Sequence, residues 1–139
     1  MSKKRIMIRD NGIQREAAPA EVSTISAPPG IARDATAGAL SLTVPMISPG
    51  VSLVRTGGGG AGFADTLPLN AAMVAALPDI EVGESYVMTY VNRTGQICTL
   101  TASASFTVAA AGGTTIGVGV TAQIKITRNA AATWVAEII

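Results

Sequence analysis

The chain has 139 residues, 48% of them hydrophobic but only 4% aromatic, with ten basic and nine acidic side chains, no histidine and one cysteine. That length is one domain, that hydrophobic share excludes disorder by composition, and the near-neutral balance favours neither nucleic acid nor a membrane surface. A lone cysteine cannot close an intramolecular disulfide, and with histidine also absent neither a secreted mini-scaffold nor a zinc site is expected; no other metal site and no cofactor is expected either.

Residues 1–38 read as an extended N-terminal arm. Lys3, Lys4, Arg5, Arg9 and Arg15 stand against Asp10 and Glu16, so the first sixteen residues carry +3 while the remainder, five bases against seven acids, carries −2. A basic head on a mildly acidic body is the pattern of an interaction tail. Asp10, Asn11 and Gly12 interrupt any apolar run after the charged start, so no signal peptide is expected. No window approaches the roughly 18 apolar residues of a membrane span, and the expectation is a soluble protein made in a cytoplasm. Residues 5–9 and 22–25 have strand composition but no partner nearby in sequence, and Ala17, Pro19, Pro28 and Pro29 favour an extended chain. Stretched out, some 37 residues reach about 120 Å, against a radius of gyration of about 13 Å for a hundred-residue body. Such an arm reaches neighbours that the body cannot.

Residues 39–139 form the body. Fifteen Gly and seven Pro punctuate β-like runs at 40–44, 51–56, 85–91, 97–102, 106–109, 115–120, 122–127 and 133–138. The last two read as a hairpin with a longer loop over 128–132. One short helix is expected: Asn70 as N-cap, helix formers over 71–77, and Pro78 as the stop, followed by a turn at Asp79, Gly83 and Glu84. In the next strand Tyr86, Met88 and Tyr90 share one face and Val87 and Val91 the other, the pattern of a central strand or of a subunit interface. Seven or eight short strands with regular turns predict an all-β fold, a β-sandwich for which a jelly roll is one frequent solution. The predicted core is Tyr86, Met88, Tyr90, Ile124, Ile126 and Trp134.

Several stretches invite a chemical reading. Gly57, Gly59 and Gly62 match the spacing of a dinucleotide loop, but Phe63-Ala64-Asp65-Thr66 is no helix start, so the run reads as an inter-strand loop. Asp79, Glu81 and Glu84 lack the spacing of a calcium loop and read as solvated turn acids; with no partner base they suggest no catalysis, and no enzyme is expected. Cys98, between Ile97 and Leu100, reads as a buried inert thiol. Asn92-Arg93-Thr94 spells a glycosylation sequon without a secretory context. The basic residues of the arm suit phosphate backbones or an acidic protein surface, but with no aromatic residue beside them specific single-strand binding is not expected.

The stretch from Asp65-Thr66-Leu67-Pro68 through Asn70, Met73, Leu77 and Pro78 to Val82-Gly83-Glu84-Ser85-Tyr86 and Val91-Asn92 resembles a recurring module of tailed-bacteriophage virion proteins. Ala132-Thr133-Trp134-Val135 resembles the last strand of that module. Over roughly residues 50–139 the chain is similar to phage head cement (decoration) proteins with a jelly-roll body. The resemblance implies a structural virion protein on the phage head exterior that cements neighbouring major capsid subunits, with the major capsid protein and further copies of itself (dimer or trimer) as partners. It implies no membrane, no specific nucleic acid and no small-molecule substrate. Lys3, Lys4, Arg5, Arg9 and Arg15 are the expected capsid contacts. The alternative is a head- or tail-fibre module that contacts the host surface; the Gly- and Ala-rich loops favour cement.

Overall fold

The computed structural model describes residues 7–10, 13–16 and 30–139. Two strands of the N-terminal region, β1 (Met7–Asp10) and β2 (Ile13–Glu16), pair antiparallel. This corrects the expectation that residues 5–9 lack a nearby partner. The signal for the pairing is the spelling Asn11-Gly12 between the strands, the most favoured in two-residue hairpin connections.

The remaining elements, in order, are β3 (Ile31–Asp34), β4 (Leu40–Ser41), a 3₁₀ turn (Val44–Ile47), β5 (Ser52–Arg55), β6 (Phe63–Thr66), α1 (Asn70–Ala76) and β7 (Ser85–Asn92). Then come β8 (Cys98–Thr101), β9 (Phe106–Val108), a second 3₁₀ turn (Ala110–Gly112), β10 (Thr115–Ile116), β11 (Thr121–Ala130) and β12 (Thr133–Ile138). They make two mixed sheets, β3-β5-β7-β11-β12-β9 and β10-β8-β6-β4. Burial alternates along β5, β6, β7, β11 and β12, and the inward residues of both sheets join one apolar core, an arrangement consistent with a β-sandwich. The two central antiparallel ladders run from Ser85 opposite Thr127 to Val91 opposite Thr121, and from Arg128 opposite Trp134 to Ile124 opposite Ile138.

Met88, Tyr90, Ile124, Ile126 and Trp134 are buried as expected, while Tyr86 is half-buried and donates its hydroxyl to the Ile47 carbonyl at 2.6 Å. Several expectations change. Residues 31–34, assigned to the arm, are the edge strand of the six-stranded sheet, because a parallel partner for them exists only in β5, some twenty residues away. Residues 40–44 shorten to β4, since Pro45 withholds an N–H and opens the 3₁₀ turn. The run at 115–120 shortens to β10, and residues 63–66, to which no element is assigned from sequence, form β6. The hairpin loop contracts to Ala131 and Ala132, with a bulge between Arg128 and Ala130.

Asn70 does not cap α1. The N-cap is Leu69, without a side-chain hydrogen bond, and Asn70 Oδ1 instead accepts from the indole Nε1–H of Trp134 at 2.9 Å. Water can serve the open first turn of a short helix, but not an indole N–H in the core, so the acceptor goes where an orphan costs more.

Candidate functional site

The polar centre of the body lies where the chain crosses from β3 to β4. β5 and β6 each set a charge in phase with their apolar residues: Arg55 follows Leu53 and Asp65 follows Phe63 on the inward face, and both charged side chains are fully buried. Arg55 Nε donates to Asp65 Oδ2 at 2.8 Å and Nη2 to Asp65 Oδ1 at 3.1 Å, the fork-to-fork geometry of a bidentate pair. Its other N–H groups go to Asp34 Oδ1 (3.1 Å), the Thr36 carbonyl (3.0 Å) and the Gly38 carbonyl (2.6 Å), so all five donors are used. The guanidinium also lies 4.9 Å from the centre of the Phe63 ring.

Asp65 accepts two further hydrogen bonds, from Leu40 N–H (3.1 Å) and from the Tyr90 hydroxyl (2.6 Å). Tyr90 OH also lies 3.0 Å from Cys98 Sγ; its single proton serves the carboxylate, the shorter and charge-assisted contact. Burial lowers the Arg55 pKa, but the hydrogen bond and charge of Asp65 outweigh it and the net displacement is upward. Burial raises Tyr90, and it pushes the Cys98 thiol up to about 11, so that thiol is neutral and inert near neutral pH. The backbone N–H and then the side chain of Thr36 hold the Asp34 carboxyl below its ordinary value, with Arg55 adding to them. The constellation is a saturated clamp: it ties β5 and β7 of one sheet to β6 and β8 of the other, and it pins residues 34–40 across them. With every donor engaged and Cys98 protonated, it is built to hold rather than to react.

The glycine run serves this clamp. A Cβ on Gly57 would overlap the Thr36 carbonyl that Arg55 holds, whereas one on Gly58 meets nothing within 4 Å. Gly57→Ala is therefore expected to destabilise the body by about 1–3 kcal/mol, and Gly58→Ala by far less, in urea unfolding; equal losses would show that the close approach is unimportant. No helix follows the run, in keeping with an inter-strand loop.

Asn92 organises one end of the body. Its Nδ2 donates to the Gln96 (2.7 Å) and Ile116 (3.0 Å) carbonyls, and its Oδ1 accepts from the N–H and hydroxyl of Thr94. The sequon asparagine is fully buried and engaged, so its side chain presents nothing to a glycosylating enzyme. Asp79, Glu81 and Glu84 are exposed, and Glu84 closes its own turn by accepting the Glu81 N–H at 2.8 Å. Among the described residues no group of three or more Cys, Asp or Glu converges as metal ligands, and no helix is long and apolar enough to cross a membrane.

A groove of about 580 Å³ opens between the end of β4, the first 3₁₀ turn and α1. Leu42, Val44, Pro45, Leu67, Leu69 and Ala72 give it an apolar lining, and no ionisable side chain borders it. Of the basic residues expected to make contacts, Arg9 and Arg15 fall in the β1–β2 hairpin, opposite Gln14 and Ile8 respectively; Lys3, Lys4 and Arg5 lie outside the described residues. The clamp was not anticipated from sequence, although the in-phase placement of Arg55 and Asp65 in alternating strands is a legible signal for it. Compared with protein-family models, curated proteins and solved structures, the chain matches none of them.

Proposed function

We propose that this chain is a structural virion protein that binds the outside of a phage capsid and cements neighbouring major capsid subunits, without catalysis. The observation that carries the reading is the stretch on which the resemblance stands: residues 65–92 fold as a continuous strand–helix–strand unit that leaves one sheet in β6 and enters the middle of the other as β7. The jelly-roll wiring belongs to this proposal as an implication of the resemblance. In the two sheets five ladders are parallel, β3–β5, β5–β7, β4–β6, β6–β8 and β9–β12, whereas a jelly roll is built from antiparallel Greek keys.

The clamp supports the reading mechanically. An arm that grips neighbouring subunits passes tension to the body through residues 30–40, and Arg55 fastens that root to both sheets by hydrogen bonds. The arm's basic residues then meet acidic surface on the major capsid protein, and repetition over a lattice multiplies weak contacts.

The test is co-sedimentation of the purified protein with empty shells of the producing phage. Its truncated form must lack residues 1–29 and no more, because removal to residue 37 would take away β3 and Asp34. Saturation at a fixed ratio to the major capsid protein is expected, with affinity falling by at least about tenfold in the truncated form. Undiminished binding by the truncated form would remove the arm from the mechanism. No binding by either would overturn the cement reading and favour a fibre module.

A further inference from the structure

We infer that the edge of the six-stranded sheet at β3 is a site that takes an extended strand of another protein, one with a carboxylate side chain opposite Arg33. This goes beyond the cement reading, because it names the chemistry of the bound segment whichever protein supplies it. β3 lies at the rim of its sheet and pairs, in parallel, with β5. Ser52 N–H donates to the Gly30 carbonyl at 3.1 Å and Thr56 N–H to the Asp34 carbonyl at 2.9 Å, so the even-numbered residues turn their main-chain groups to β5. Successive residues of a strand turn those groups to opposite sides, which aims the N–H and C=O of Ile31 and Arg33 away from the sheet, where no described strand lies. Unpaired main-chain groups in a row are a template for one kind of ligand, another extended backbone.

Among the described residues, the other three edges of the two sheets are poorer templates. β9 has three residues and β4 and β10 two each, against four in β3, whose register with β5 runs unbroken from Ile31 opposite Ser52 to Asp34 opposite Arg55. Neither a proline nor a bulge, common guards of an edge, interrupts it. What the outward side of β3 carries is one charge. Ile31 and Arg33 are exposed, Ile31 to 64%, while Ala32 packs on the core. Among the described residues Arg33 forms no ion pair. A strand added antiparallel sets one residue opposite Arg33 and, two positions later, one opposite Ile31, each pair about 5 Å apart on one face. An acidic side chain at the first position and a β-branched one at the second answer both, whereas a basic one at the first is repelled. The clamp holds the template in place, since Asp34 Oδ1 accepts from Arg55 Nη1 at 3.1 Å, and a strand that docks there has little left to order.

The probe is the end-blocked peptide Thr-Glu-Thr-Val-Thr, titrated into the isotope-labelled full chain and followed by the NMR shifts of its amides. Saturable shifts centred on Ile31 and Arg33 are expected, with a dissociation constant on the order of 1 mM. Methylating the peptide nitrogens of its Glu and Val, which point at β3, should weaken binding at least about tenfold, and exchanging its Glu for Lys about fivefold. Arg33→Glu, at an exposed position, should reverse the preference between the Glu and Lys peptides. No shift at those amides up to about 5 mM peptide, or equal binding of the methylated peptide, overturns the inference. So does slow hydrogen exchange at Ile31 and Arg33 in the free chain, which would mean that the chain's own N-terminal residues already fill the edge. Peptide binding by a chain that ignores empty shells would uphold the site while removing the cement reading, so the two fail separately.

Discussion

Asp65→Ala is expected to cost about 3–5 kcal/mol, the loss found when one partner of a buried pair is removed. The substitution leaves the Arg55 guanidinium in the core with three of its five hydrogen bonds, and it strands Leu40 N–H and the Tyr90 hydroxyl. Against a total stability of about 5–15 kcal/mol this is a third or more. A shift in the urea midpoint would measure it. The double variant Arg55→Met with Asp65→Leu should lose much less than the two single losses together, because exchanging both charges for apolar groups of similar size removes the desolvation cost along with the attraction. If Asp65→Ala costs less than about 1 kcal/mol, the clamp does not hold the two sheets as described.

Trp134→Ala is expected to cost a similar amount, about 3–5 kcal/mol, by opening a cavity in the middle of the core. Trp134 is fully buried, its ring centre is 6.4 Å from that of Phe106, and Arg128 lies over its face at 5.7 Å. Trp134→Phe separates packing from polarity: it keeps an aromatic ring but leaves Asn70 Oδ1 without its donor. That change should cost about 1–3 kcal/mol, read as a lowered midpoint in thermal unfolding. Loss of the Asn70 partner also frees the start of α1, which lines the groove. A Trp134→Phe protein as stable as the parent would show that the indole hydrogen bond is dispensable.

What the sequence determined by itself is what depends on neighbours along the chain. The alternation of Ile124 and Ile126 with Gln123 and Lys125 sets the faces of β11, because successive side chains of any strand point to opposite sides. Pro78 stops α1, since the residue before a proline avoids helical geometry, and Leu77 leaves it at ψ 58°. Asn11-Gly12 carries a hairpin signal on the same local grounds, although residues 5–9 read as unpartnered from sequence. The tertiary structure decided what pairs at a distance. Arg55 and Asp65 are in phase with apolar neighbours in the sequence, but only the stacking of two sheets turns two misplaced charges into a bidentate pair. β3 reads as arm because its partner β5 follows only after β4 and a 3₁₀ turn, and a parallel ladder leaves no local signature. Asn70 reads as a cap by local preference, worth about 1 kcal/mol, yet an indole N–H 64 residues away takes its oxygen, since a buried unsatisfied donor costs about 1–3 kcal/mol. Local preferences amount to tenths of a kcal/mol up to about one, and burial of unpaired polar groups outweighs them wherever the two conflict.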